Sequence, residues 1–232
     1  MAEICTSFGP IGTRFDLLCI PSVKTLGYCL SMKIFALELS SARGSIASLD
    51  NDKIEFDREW PNDRKNSGPF FEYLVEMQNK FGKPGAIIVG LGPGSYAGTR
   101  IAISAAIGLQ VASQARLIGC PSICAIGCDA PEYWVIGDAR RNSFFYARIC
   151  DRNLAEGPTL TTEAELRTKL DKLDRNMPVF TTEKLPQFDR AEQRYPAAKM
   201  LAQLAVDAKR NFAVPPLEPM YLRDPHITIP KK

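Results

Sequence analysis

The sequence predicts an α/β protein built from one βββαβα unit used twice, and three observations lead there. The first is the stretch from Ala86 to Arg116, which reads as strand, glycine loop and helix. An apolar run, Ala86–Gly90, ends at Gly92, Pro93 and Gly94, and from Thr99 small and aliphatic residues follow with no charge between Ile101 and Ala115. The second is the segment before it, three strand-like runs and an amphipathic helix. The third is that the same order begins again at Tyr133. A recurring unit guides organisation better than any short motif, because two copies of one topology commonly pack about a cleft.

Length and composition set the limits. At 232 residues the chain is long enough for one large domain or two small ones with a proper core. A net charge of +3 argues neither for nor against contact with nucleic acid. Seven cysteines without an even, closely spaced framework point to reduced thiols in a cytoplasm. The apolar run Leu17–Ile20 is cut by Pro21 and Lys24, too short for a signal sequence. Residues 1–31 show no sustained period and are expected to lie outside the fold. The expected organisation is therefore an extension over 1–31, a first half over 32–130, and a second half over 131–232 that ends in a proline-rich tail.

Taken in order, residues 33–39, 42–50 and 53–60 are strands, the last two joined by a tight turn at Asn51–Asp52. Pro69–Phe81 is a helix with Phe70, Leu74, Met77 and Phe81 in one stripe and Phe71, Tyr73 and Val75 beside it. That is an apolar arc of roughly 200°, about twice what one core contact needs. A face is left for a partner. The helix from Thr99 to Gln114 is apolar on every side yet too short to cross a membrane, and its small residues allow close approach of another backbone. Pro121 is expected to open a helix running to Asp129, on which Cys120, Cys124 and Cys128 fall four apart; buried thiols fit this better than a metal site, since no histidine is near. Strands over 133–137, 143–149 and 154–160, a helix over 162–173, a strand over 178–180 and a helix over 197–212 complete the second unit.

The glycine loop invites three chemical readings. The dinucleotide pattern G-x-G-x-x-G/A fits Gly92–Ala97, but no acid occurs between Thr99 and Cys128 to hold a ribose. A P-loop needs Gly-Lys-Ser/Thr, and Gly98 is followed by Thr99 and Arg100. The remaining reading is a tight turn with close packing. Ser95 has no candidate base beyond His226, the single histidine, so a serine protease is excluded.

Four stretches, KIFALELSS, VGLGPGSYAGTRIAISAAIGL, IGDARRNSFFYARI and PMYLRD, resemble the TsaB (YeaZ) family, and the match runs from Met32 to the tail. The resemblance implies an actin-like ATPase fold of two tandem RNase H-like subdomains. It implies a cytoplasmic, noncatalytic subunit that pairs with a TsaD-like catalytic subunit, works with a TsaE-like ATPase, and meets tRNA through the complex. The complex transfers a threonylcarbamoyl group to adenosine in tRNAs reading ANN codons. A homodimer is expected when the partner is absent, and older usage groups such chains with glycoprotease-type peptidases. A TsaD-like metal site uses an H-x-x-x-H pair, which one histidine cannot supply, so no metal and no catalytic residue is expected here. Glu38 stands where actin-like ATPases carry an aspartate. Glu38, Ser40, Gly92, Gly94, Ser95 and Asp138 are the candidates for a vestigial phosphate pocket; no firmly bound cofactor is expected, and ATP or ADP would sit at the complex interface. Phe70, Phe71, Leu74, Val75, Arg100, Ala105 and Gly108 are the expected partner surface. The alternative is an active actin-fold enzyme that uses ATP.

Overall fold

The computed structural model describes residues 32–62, 67–207 and 209–223. The expectations for residues 1–31, for His226 and for the end of the tail lie outside these. The described residues belong to one compact unit.

The first half opens with β1 (Ile34–Glu38), β2 (Arg43–Asp50) and β3 (Lys53–Pro61), followed by α1 (Gly68–Phe81), β4 (Ala86–Gly90), α2 (Tyr96–Ser113) and β5 (Arg116–Cys120). Local chemistry sets the joints. Asn51 and Asp52 take positive φ angles of 49° and 61°, the geometry a two-residue hairpin turn requires. A proline opens α1, and Gly82 ends it at a φ of 71°. Ser95 caps α2 by accepting from the Gly98 N–H, and Gln114 closes it in the left-handed region. The strands pair in the order β3-β2-β1-β4-β5, with β1, β4 and β5 parallel.

The second half holds β6 (Glu132–Asp138), β7 (Phe144–Cys150), β8 (Asn153–Thr161), α3 (Glu163–Asp171), β9 (Val179–Thr181), β10 (Glu192–Gln193) and α4 (Ala198–Ala205), with sheet order β10-β9-β6-β7-β8. A capping box between Thr162 and Glu165 starts α3. The strand alternation sorts the core into layers. Phe35, Leu37, Ile87 and Val89 face α1 and α2. On the other side of the same strands, Ile34, Ala36 and Ile88 meet α4 together with Tyr133, Val135 and Phe180 from the second sheet. Trp134, Ile136 and Phe144 face α3. The order of layers is α1 and α2, first sheet, α4, second sheet, α3.

Three expectations are corrected. No helix runs from Pro121 to Asp129; a single 3-10 turn, Ser122–Ala125, is followed by Ile126 in a bridge to Pro196, which pulls the chain straight. The three cysteines therefore lie on different elements. Cys120 and Cys124 pack in the core, and the Cys124 thiol, with burial, holds the Cys120 thiol well above its ordinary value. The last helix stops at Ala205 instead of Phe212, because Arg210 turns to the carbonyls of Asp151 and Arg152 and Ala213 exchanges two backbone hydrogen bonds with Gly119 on β5. The tail therefore returns to the first half. Leu217 lies in the core of the first half, and Met220 donates to the Leu91 carbonyl. Two strands were not anticipated, β5 and the two-residue β10.

Candidate functional site

A cleft of about 490 Å³ opens above the C-terminal end of β1, between the glycine loop before α2, the β6–β7 turn and residues 219–223 of the tail. Ser40, Gly94, Ser95 and Asp138 line it together. Glu38 and Gly92 do not.

The floor is closed by the chain's own backbone. The Ser95 N–H donates to the Ser40 carbonyl at 2.6 Å. A Cβ on Gly94 would stand 2.0 Å from that carbonyl oxygen, and one on Gly98 would stand 2.1 Å from the Leu39 carbonyl oxygen. The glycines are thus required by contact with the β1–β2 turn. Gly92 lies below the surface with a φ of 91°, and its N–H donates to Ser122 Oγ at 2.9 Å.

Glu38 is corrected from cleft residue to buried residue. It is fully buried, and its Oε1 accepts the Ser40 N–H at 2.6 Å. A Cβ on Gly90 would stand 1.8 Å from Glu38 Oε2, so the longer side chain fits only because position 90 has none. Burial raises the Glu38 pKa above its ordinary 4.5, against the pull of hydrogen bonds from Ser40 and Ser122. The carboxyl occupies the turn's amide from within, so it cannot face a ligand in the cleft.

Asp138 is also engaged. Its N–H donates to Glu183 Oε1 at 2.7 Å, and its carboxylate holds the Arg140 N–H at 2.6 Å and the Arg140 guanidinium at 2.9 Å. Arg140, Arg141 and Asn142 follow at positive φ. Among the described residues no group of three or more histidine, cysteine or acidic side chains is placed to hold a metal ion. No helix among them is long and apolar enough to cross a membrane.

The second candidate surface is the outer side of α1 and α2. Both helices lie on one face of the first sheet, α1 over β2 and β3, α2 over β4, β1 and β5. Phe70 and Leu74 are corrected here: with Met77 they are buried against the sheet, so the stripe they form is core. The flanking residues point outward, with Phe71 48% and Val75 54% exposed on α1, and Ile107 43% and Val111 69% exposed on α2. Gly108 and Arg100 are exposed and Ala105 is half-buried. Sequence reasoning missed Ile107 and Val111, although their spacing from Arg100 and Ser104 is that of one helical stripe.

The model of the family TsaD, tRNA N6-adenosine threonylcarbamoyltransferase, matches residues 70–213 of this chain. The chain belongs to the TsaD family. Curated relatives include uncharacterized proteins of Mycobacterium tuberculosis and Mycobacterium bovis, 33% identical over 82 residues, or 35% of this chain. That match spans 39% of the relatives' length. Among solved structures, a protein with similarity to the peptidase YeaZ from Pseudomonas aeruginosa superposes with a TM-score of 0.66 at 19% identity, covering 83% of this chain and 100% of that one. YeaZ from Pseudomonas aeruginosa gives 0.60 at 19% identity, covering 75% and 90%. The likeness is one of fold, and it identifies the two packed five-stranded sheets as the actin-like ATPase fold in its YeaZ form.

Proposed function

We propose that this TsaD-family chain is a TsaB-type scaffold subunit that pairs with a TsaD-like catalytic subunit through the outer faces of α1 and α2. The complex would transfer a threonylcarbamoyl group to adenosine in tRNAs reading ANN codons, with a TsaE-like ATPase as a further component. It would act in the cytoplasm. The observation that carries this reading is the apolar exposure of Phe71, Val75, Ile107 and Val111 on neighbouring helices. Soluble monomers rarely leave such a surface open, and the small residues Ala105 and Gly108 let a partner helix approach.

The internal use of the cleft floor supports a role without chemistry of its own. The Ser40 and Ser95 amides are spent on Glu38 Oε1 and on the Ser40 carbonyl. Residues at the catalytic histidine pair must then come from the partner, and any ATP or ADP would be held at the shared interface.

The test is size-exclusion of the chain with its TsaD-like partner, wild type against Val75→Lys and Phe71→Glu. Desolvating an unpaired charge costs several kcal/mol, so the heterodimer should weaken about a hundredfold or more while circular dichroism stays unchanged. The same surface would give a homodimer when the partner is absent, dispersed by the same variants. Full coelution of a folded Val75→Lys variant would sink the interface. Micromolar binding and hydrolysis of magnesium ATP by the chain alone would favour an ATP-using enzyme instead.

A further inference from the structure

We propose that the mouth of the cleft is a binding surface for single-stranded RNA, held by stacking on Tyr96 and Tyr221 and by the arginines beside them. This deepens the function proposed above by putting RNA contact on this subunit, and its test needs no partner chain.

The rings come from distant parts of the chain, the start of α2 and the tail, yet their centroids lie 5.3 Å apart with a 33° tilt. Tyr96 is 53% and Tyr221 44% exposed, so the two rings cover part of each other and leave their outer sides open to solvent. The Arg100 guanidinium sits over the Tyr96 ring, 5.1 Å from its centroid, and donates to its hydroxyl at 2.5 Å, which puts a cation on the ring pair and leaves Tyr221 as the more open stacking face. Arg223 lines the same cleft two residues beyond Tyr221, and Arg140 and Arg141 line it from the β6–β7 turn. Two acids also line it. Asp138 is paired with Arg140, and Glu183 receives the Asp138 N–H. Arginines therefore outnumber acids in the cleft lining. Aromatic faces flanked by arginines suit an unpaired strand, whose bases can stack while its phosphates meet cations; a duplex offers no free base faces.

The floor of the cleft favours a strand over a free nucleotide. A mononucleotide needs amide donors gathered about its phosphates at the bottom of the site. Here the Ser40 and Ser95 amides are already bonded within the protein, and Gly94 and Gly98 are packed onto backbone carbonyls. The cations and rings stand at the rim, where a strand would run across the opening. The description of the matched family names tRNA, which is the ground for choosing RNA as the occupant, and a DNA strand would offer the same rings and phosphates.

Fluorescence polarisation of a labelled 15-nucleotide RNA with the full chain tests this. Binding should appear at low salt and weaken linearly in log–log form as salt rises. Tyr221→Ala should weaken it about tenfold, as loss of one stacking ring does, while Tyr221→Phe should retain it. Arg141→Glu should weaken it and flatten the salt dependence, with the melting temperature of each variant unchanged. The proposal is overturned by any of four outcomes: no binding, binding indifferent to Tyr221→Ala and Arg141→Glu, displacement by micromolar ATP, or tighter binding of the DNA strand of the same sequence. A chain that ignores RNA but still pairs with its partner would fail here and leave the scaffold reading standing.

Discussion

The two ends of α2 use the same kind of residue for opposite purposes. At the start, Gly94 and Gly98 are pressed against the carbonyls of Ser40 and Leu39, and no side chain fits there. In the second half of the helix, a Cβ on Gly108 would meet nothing within 4 Å, and Ile107 and Val111 beside it are exposed. The end that carries a recognisable motif is consumed by internal packing. The end without one presents the surface that lacks a cover. A glycine's role is thus read from what stands opposite it, and a glycine loop can persist for contact with a neighbouring turn alone.

The largest expected effect tests the packed end. Gly98→Ala places a carbon near the Leu39 carbonyl, where backbone on both sides must move. Chemical denaturation should show a loss of about 4 kcal/mol or more, or no folded protein. A loss below about 1 kcal/mol would mean that the loop and the β1–β2 turn are not in firm contact. Next in size is a pair on α1. Phe70→Ala should cost about 3 to 5 kcal/mol, whereas Phe71→Ala, one residue on, should cost about 1 kcal/mol in the isolated chain, the loss of its edge contact with the Phe70 ring. Equal losses would erase the distinction between core stripe and outer stripe.

That pair also marks how far the sequence could be read. The width of the apolar arc on α1 was legible, but periodicity does not orient an arc. Phe70 and Leu74 joined Phe71 and Val75 as surface candidates until the sheet showed which side it covers. The strands of the first half were legible because alternation, the Asn51–Asp52 turn and the glycines mark their ends. β5 was not, being five residues between a helix and a proline. In the cleft, Ser40, Gly94, Ser95 and Asp138 line one space. The inward turn of Glu38 was hidden because it depends on Gly90, which lies beside it through pairing of β1 with β4 and far from it in sequence. Tyr221 was hidden too, since only the return of the tail to the first half places it beside Tyr96.

A smaller effect follows from the buried carboxyl. Burial raises the Glu38 pKa, so the folded chain holds this proton more tightly than the unfolded chain does. Its contribution to stability is complete below the unfolded value of about 4.5 and is lost as pH rises through the higher folded value. Glu38→Gln carries no titrating proton. Urea unfolding from pH 4.5 upward should therefore show the variant gaining on the wild type as pH rises. A difference that is flat or falls with pH would mean the carboxyl is ionised in the fold, and the glycine-loop end would be a charged site after all.

The smallest effect belongs to the open end of α2, and it has opposite signs in two assays. Glycine inside a helix costs roughly 0.5 to 1 kcal/mol relative to alanine, through the extra freedom it gives the unfolded chain. At Gly108 the alanine Cβ meets no neighbour, so Gly108→Ala should stabilise the isolated chain by about that amount, read as a rise of a few degrees in melting temperature. Alanine still admits a close helix, so pairing with the TsaD-like subunit should survive. Gly108→Leu starts from the same open Cβ at an exposed position, but its branched side chain would stand where a partner helix must approach. It should fold at least as stably as the wild type, for the same reason, and pair weakly. If Gly108→Leu pairs as well as Gly108→Ala, the open end of α2 is ordinary surface, and the contrast between the helix's two ends reduces to packed against unpacked.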